Sequence, residues 1–274
     1  MTDIVICVDG TNSQEYKNRS VENFYNSIKV PAENKIYEPG PQNGATGSDW
    51  VSIRDKIIKR LDAIARRYDE TTFFNGYQCT IGRKNDFRFI MVGHSRGGHI
   101  VINLAAMLKY RTHFLGLYDA VDRTSMTNIH QKTTIYNVDH IYHALRDVSV
   151  GSRTSKKLNL TVNTFLFGSV AFEVAGYAVS KVLDFDNTGI ESGDGGEYVG
   201  KTFKTSHGGI GGDVLTHTSV SVPVIEPLLA DDSCAVSMFN QSEAQVKKLE
   251  LCLSDSVAAD RFIKEGARKN GVSI

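Results

Sequence analysis

Ile4-Val5-Ile6-Cys7-Val8 is an unbroken apolar run rich in β-branched residues, and it stops at Asp9-Gly10-Thr11-Asn12-Ser13. A short apolar run without polar alternation predicts a strand buried on both faces of a parallel sheet, here followed by a turn. Phe87 to Val92 repeats the pattern, and Phe114 to Tyr118 repeats it again, ending at Asp119. Between these two runs, Gly93 to Gly98 predicts a tight turn, and Ile100, Val101, Leu104, Ala105 and Leu108 mark one face of a helix. Strand, helix and strand with short links imply parallel strands joined by right-handed crossovers.

Elsewhere the pattern changes period. Trp50, Ile53, Ile57, Leu61, Ile64 and Tyr68 recur every three or four residues, which predicts an amphipathic helix. Its other face carries Arg54, Lys56, Lys59, Arg60 and Arg67, but Asp55, Asp62 and Asp69 interleave them, so the face reads as solvated surface. Residues 31–49 hold three of the five prolines and read as a long loop with a short strand near Ile36-Tyr37. The polar stretch 123–160 is expected to contain a helix around Val138 to Arg146. The glycine-rich stretch 186–213 is expected to be loop around one strand near Tyr198 to Lys204. Val257, Ala258, Phe262, Ile263 and Ala267 mark a last helix, stopped by Gly271. Residues 162–183 are apolar enough to consider as a membrane span. Glu173 lies at their centre, where an acid costs about 2.5–3.5 kcal/mol on insertion, so they read as a buried strand and helix, with a lid or acyl pocket as the other role. No repeat or linker interrupts the chain, and the expectation is one α/β domain over 1–274, a mostly parallel central sheet flanked by helices.

Charge and cysteine content narrow the partners. Thirty-one basic residues balance 31 acidic ones over 274 residues, so nothing electrostatic calls for nucleic acid or an anionic membrane as an obligate partner. Cys7, Cys79, Cys234 and Cys252 fall in no paired or zinc-ligand spacing, and read as free thiols of a reducing compartment. The first residues lack the basic and apolar regions of a signal peptide, so the expectation is a protein cytoplasmic as synthesised; export by a route that needs no signal peptide stays open.

The chemistry gathers at Gly93-His94-Ser95-Arg96-Gly97. A nucleophile elbow needs a strand, a sharp turn with serine at its apex, and a helix; the flanking runs predict all three. Glycines two residues either side of Ser95 let strand and helix pack closely, and the helix N-terminus aims its amides at a developing oxyanion. Serine needs a base, and the base an orienting acid, in the chain order serine, acid, histidine. Asp119 ends the next strand and therefore shares an edge of the sheet with Ser95; Asp122 is the alternative. Of eight histidines, His207 follows the last strand on a glycine-rich loop and is the candidate base, with His217 behind it. His94 and His99 flank the elbow, and His113 sits at the wrong end of its strand. His140 and His143, three apart on the expected helix, have the spacing of a metal pair, although capping or exposed roles are commoner. One oxyanion donor is assigned to the Arg96 N–H and the other to Gly10 or Thr11, with Asp9 a structural acid pinning that loop. Asp9-Gly10-Thr11 also looks like part of a haloacid-dehalogenase phosphatase motif, but Cys7 stands where that motif has its nucleophilic aspartate.

Taken together these segments resemble the DUF2235 α/β-hydrolase family, which includes lipase effectors of type VI secretion systems. Val8-Asp9-Gly10-Thr11-Asn12 is similar to its D-G-T-x-N opening, and Val21 to Tyr25 to its T-N-V-x-x-L/Y helix. Ile36-Tyr37-Glu38-Pro39-Gly40 is similar to Y-x-P-G-V-G, and Gly93 to Gly98 to G-F-S-R-G-A. Gly116 to Val121 resembles G-V-x-D-T-V, Tyr142 to Asp147 resembles Y-H-A-L-A-L-D, and Ser206 to Gly212 resembles H-S-D-V-G-G. Asp260 to Gly271 resembles the family's last helix. The resemblance implies a Ser95, Asp119, His207 triad, no metal or organic cofactor, and hydrolysis of carboxylic esters, often phospholipids. It also implies transient membrane contact and, for an effector, an immunity or secretion-apparatus partner. The sequence departs from the family at the residues after His207, at Ala120 where threonine is usual, and in ending soon after the core, without the membrane-binding extensions. A small-ester esterase or thioesterase, and a catalytically silent binding module on the same fold, are the other readings.

Overall fold

A computed structural model of the protein describes residues 1–11, 13, 19–42, 49–75, 87–121, 134–147, 187–205, 207–212, 251 and 253–274. Six strands form one sheet: β1 (Thr2–Val8), β2 (Lys35–Glu38), β3 (Phe87–His94), β4 (Thr112–Tyr118), β5 (Val138–Arg146) and β6 (Glu197–Phe203). Their order is β2-β1-β3-β4-β5-β6, and every adjacent pair is parallel. The helices are α1 (Ser20–Ser27), α2 (Trp50–Arg66), α3 (Arg96–Met107), the four-residue α4 (His207–Ile210) and α5 (253–269), with a 3-10 turn at Ala32–Asn34. This is an α/β fold.

The unbroken apolar runs have the reason the sequence predicts. Alternate side chains of a strand point to opposite faces. Ile4, Ile6 and Val8 join one core with Ile57 and Leu61 of α2 and Ile100 and Leu104 of α3. Val5 and Cys7 join a second core with Val21 and Phe24 of α1 and Ala259, Ile263 and Ala267 of α5. A strand clad by helices on both faces cannot show polar alternation. In α5 the buried seam is Ala259, Ile263 and Ala267, one turn apart, while Val257 is exposed. The basic face of α2 is partly tied down, because Lys56 and Arg60 both reach the buried Glu38 carboxylate, at 2.6 and 2.8 Å.

The expected helix over Val138–Arg146 is instead β5, hydrogen-bonded between β4 and β6. Val138, Ile141 and Leu145 mimic a helical stripe because both faces of this strand are covered, which erases the period of two. Its β-branched and aromatic residues were the contrary signal. The correction also separates His140 from His143. Three residues apart on a strand, they face opposite sides of the sheet: His140 lies 3.0 Å from Glu197, and His143 reaches the backbone of Ala120. Residues 162–183 lie outside the described residues. No described helix is long and apolar enough to cross a membrane.

Asn137, just before β5, closes the end of α3. Its Nδ2 donates to the carbonyls of Ala105, Leu108 and Tyr110 at 2.9–3.0 Å, and its backbone is left-handed, φ 64°. Asn137→Ala strips buried carbonyls of their donor and places a Cβ residue with no compensating polar group in that conformation. The expected loss is about 2–4 kcal/mol, read as a lower urea midpoint at unchanged slope.

Candidate active site

Register brings the reactive groups together. Val8 pairs with Gly93, His94 with Tyr118, and Tyr118 with Ala144, so β1, β3, β4 and β5 end near one level. Asp9, Ser95 and Asp119, just beyond these ends, and Arg146, the last residue of β5, therefore share the C-terminal edge of the sheet, where open α/β sheets place their sites. Arg146 pairs with Phe203 at the end of β6, which delivers His207 to the same edge.

Ser95 occupies the single residue between β3 and α3, with φ 55° and ψ −127°. That conformation is strained for a residue with a Cβ and costs on the order of 1–3 kcal/mol. Neighbours hold it: Ser95 N–H donates to the Tyr118 carbonyl at 3.0 Å, and its own carbonyl accepts from Val121 at 3.1 Å. The glycines do what the sequence requires of them. A Cβ on Gly97 would lie 2.3 Å from the Val8 and Asp9 carbonyl oxygens, and one on Gly93 would lie 2.6 Å from the Gly97 carbonyl oxygen. This is the strand–turn–helix geometry of a nucleophile elbow.

His207 Nε2 lies 2.7 Å from Ser95 Oγ, and His207 Nδ1 lies 2.6 Å from Asp119 Oδ2. Because Asp119 can only accept when ionised, Nδ1 carries the proton and Nε2 is left to accept from the serine hydroxyl. The three residues that sequence order selects are thus joined in one hydrogen-bonded relay. Asp122 and His217, the alternatives, lie outside the described residues. Asp119 is fully buried and also left-handed, φ 44°. Burial alone pushes its carboxyl up. The hydrogen bond and charge of His207, the charge of Arg146 and the Arg146 N–H outweigh burial and hold the carboxyl below its ordinary value.

The oxyanion candidates divide. Arg96 is the first residue of α3, so its N–H sits at the helix N-terminus beside Ser95. Gly10 packs against the elbow, where a Cβ would stand 3.2 Å from that of Ser95, but its N–H donates to Asp9 Oδ1 at 2.9 Å. Thr11, the other candidate, has a buried hydroxyl with no hydrogen-bond partner among the described residues. Asp9 is the structural acid of this loop: Tyr37 OH donates to its other oxygen at 3.0 Å. Burial raises the Asp9 carboxyl to about 6 against the pull of those hydrogen bonds.

Several contributors escape sequence reasoning. The misread β5 hides two. Arg146 lies with its guanidinium 3.5 Å from Asp119 Oδ2, side chains 1% and 0% exposed, and its N–H donates to Asp119 Oδ1 at 3.2 Å. His143 accepts the Ala120 N–H at Nε2, 3.1 Å, and donates from Nδ1 to the Gly189 carbonyl, 3.3 Å, which pins the chain beside Asp119. A strand reading of 138–146 would have placed both at the edge. The hydroxyls of Ser20 and Ser256, which hold the Ile210 and Gly209 carbonyls of the His207 loop, leave no signal in the sequence. His99 faces away from the relay, against Asn103 and the Trp50 ring, and His113 binds the Asn270 carbonyl at the far end of β4. Among the described residues no group of three His, Cys, Asp or Glu side chains is placed to hold a metal ion.

Burial lowers His143 from 6.5 to about 4, whereas it raises Asp9 from 3.8 to about 6. The signs oppose each other. The unfolded chain takes up the His143 proton first, so that term removes stability as pH falls from 6.5 to 4. The folded chain takes up the Asp9 proton first, so that term adds stability as pH falls from 6 to 3.8. Each amounts to about 3 kcal/mol at 1.36 kcal/mol per unit, and they largely cancel. His143→Gln keeps an acceptor for Ala120 but removes its term. Relative to wild type the variant is expected to gain about 3 kcal/mol between pH 6.5 and pH 4 in urea denaturation.

No protein-family profile matches the sequence, and no curated protein matches it. Among solved structures, an uncharacterized protein from Pseudomonas aeruginosa is similar at a TM-score of 0.39 and 14% identity, over 77% of this chain and 42% of that one. The chain thus spans less than half of that protein's length. Fold and site together define an α/β protein with a serine–histidine–aspartate relay at the C-terminal edge of a parallel sheet.

Proposed function

We propose that this protein is a serine hydrolase of the α/β-hydrolase class that cleaves carboxylic esters through an acyl-enzyme. The observation that carries the reading is the relay itself, with Ser95 Oγ, His207 and Asp119 linked at 2.7 and 2.6 Å on an elbow. Ser95 Oγ attacks the ester carbonyl as its proton passes to His207 Nε2. Asp119 keeps the imidazole in the Nδ1–H form and stabilises the imidazolium. The carbonyl electron pair moves onto oxygen, which the N–H groups of Arg96 and Thr11 receive. Collapse expels the alcohol, which takes the proton from His207. Water, deprotonated by the same His207, then frees the acid and restores Ser95.

A lipid or phospholipid ester is the substrate proposed, and membership of the DUF2235 family is proposed with it. The support is the seven ordered segments from Val8 to Gly212, which span most of the chain. The test is fluorophosphonate labelling of wild type, Ser95→Ala and His207→Ala, with p-nitrophenyl butyrate and phospholipid vesicles as parallel substrates. Labelling lost in Ser95→Ala, with turnover lost in both variants, supports the hydrolase. Preference for vesicles over the short ester supports a lipase; the reverse supports a small-ester esterase. A folded wild type that neither labels nor turns over either ester points to a binding module.

A further inference from the structure

A second carboxylate–histidine pair lies behind the first. His94, the residue before Ser95, is wholly buried, with Nδ1 3.9 Å from Asp9 Oδ1. Its Nε2 lies 3.1 Å from the backbone carbonyl oxygen of His207. A carbonyl only accepts, so Nε2 carries a proton and donates it. The ring is clamped between two backbones: a Cβ on Gly10 would stand 2.4 Å from His94 Nδ1, and one on Gly211 would stand 2.3 Å from Cε1. The imidazoles of His94 and His207 lie 5.0 Å apart, tilted by 33°.

The loop that carries His207 needs outside support. Gly208, Gly209, Gly211 and Gly212 follow the histidine, and glycine gives the chain more freedom to lose than any other residue. Other anchors sit further along, Ser256 Oγ on the Gly209 carbonyl, Ser20 Oγ on that of Ile210 and Ser20 N on that of Gly211, and within the loop the Gly211 N–H reaches the His207 carbonyl at 3.4 Å. His94 acts on the carbonyl of His207 itself, and its other ring nitrogen lies 3.9 Å from Asp9 Oδ1, the acid of the Gly10–Thr11 loop. The main chain of the base is thereby linked to the residue next to Ser95.

We propose that His94 is a positioning residue for the hydrolysis: its Nε2–H holds the main chain of His207 so that the imidazole stays in line with Ser95 Oγ. This rests on the serine-hydrolase reading. A displacement of about 1 Å at a reacting group costs on the order of 100-fold in rate, so the effect belongs in kcat and not in KM.

The experiment compares wild type, His94→Phe, which keeps the ring and loses the donor, and His94→Gln, which restores a donor near Nε2. Steady-state hydrolysis of p-nitrophenyl butyrate and the rate of fluorophosphonate labelling are measured on the full chain, with thermal melts beside them. The expected result is kcat down about 10–100-fold in His94→Phe at unchanged KM, labelling slowed in parallel, and most of the loss recovered in His94→Gln. A His94→Phe protein within twofold of wild type overturns the proposal, as does a loss that His94→Gln does not recover although it melts like wild type. Should His94→Phe fail to fold, nitrogen-15 NMR of histidine-labelled wild type decides: a His94 Nε2–H protected from exchange upholds the contact, and protonation at Nδ1 alone overturns it. An inert wild type whose His94 Nε2–H is protected overturns the hydrolase reading and the catalytic role resting on it, while leaving the contact in place.

Discussion

Ser95→Ala is expected to lower kcat for ester hydrolysis by about 10⁴–10⁶-fold while leaving the protein folded. In the proposed reaction the hydroxyl is the group that bonds to the acyl carbon, and no other described side chain takes its place beside His207 Nε2. Alanine keeps the Cβ and the strained φ of 55°, so the backbone holding the elbow is undisturbed. The two contacts that pin Ser95, to Tyr118 and Val121, are made by its main chain and survive the substitution. Stability should therefore stay within about 1 kcal/mol of wild type, the worth of one lost hydrogen bond to His207. His207→Ala should give a loss of similar size, and the double variant should be scarcely worse than either, because the two act as one unit. Independent, additive losses would mean that the relay is not a working one.

Arg146→Met is expected to have the largest effect on stability. Asp119 and Arg146 are both buried, with their side chains 3.5 Å apart. Truncating one partner of a buried ion pair leaves the other charge without compensation, which costs about 3–5 kcal/mol. His207 retains its hydrogen bond to Asp119, and that places the expected loss nearer the lower figure. The pH dependence gives the test its sign. The Asp119 carboxyl is held below its ordinary value, so its contribution is complete above that value and disappears as pH falls through the folded-state value. The gap between wild type and Arg146→Met should therefore be widest near neutrality and shrink in strong acid. Asp119→Asn in the same protein should recover part of the loss, since it removes the orphaned charge. Urea denaturation of wild type, each single variant and the double variant at pH 7 closes the cycle; an Arg146→Met protein as stable as wild type would show that Arg146 does not compensate Asp119.

These expectations draw unequally on sequence and structure. Three strands were legible as apolar runs because burial on both faces leaves them continuous, and α2, α3 and α5 were legible from their three- and four-residue periods. Local chemistry also fixed the elbow: glycines at 93 and 97 around Ser95 make sense only where strand and helix touch. Chain order then carried the acid and the base, since Asp119 and His207 each follow a strand whose end faces the same edge. The failure at Val138–Arg146 has the same origin as the successes. A strand covered on both faces and rich in polar residues loses the alternation that identifies it, and His143 and Arg146 lost their place in the site with it.

What the sequence determined by itself is therefore whatever depends on neighbours along the chain: the parallel α/β layout, the serine at a strained turn, and the order of serine, acid and base. Only the tertiary structure decided what depends on partners far apart in sequence. It set His207 on Ser95 and Asp119 across more than eighty residues, put the Arg146 charge behind Asp119, gave the Gly10 N–H to Asp9, and aimed His94 at the His207 carbonyl. The physical reason is that hydrogen bonds and desolvated charges are short-ranged and directional, so their partners are chosen by packing and strand register, which no local pattern of residues encodes.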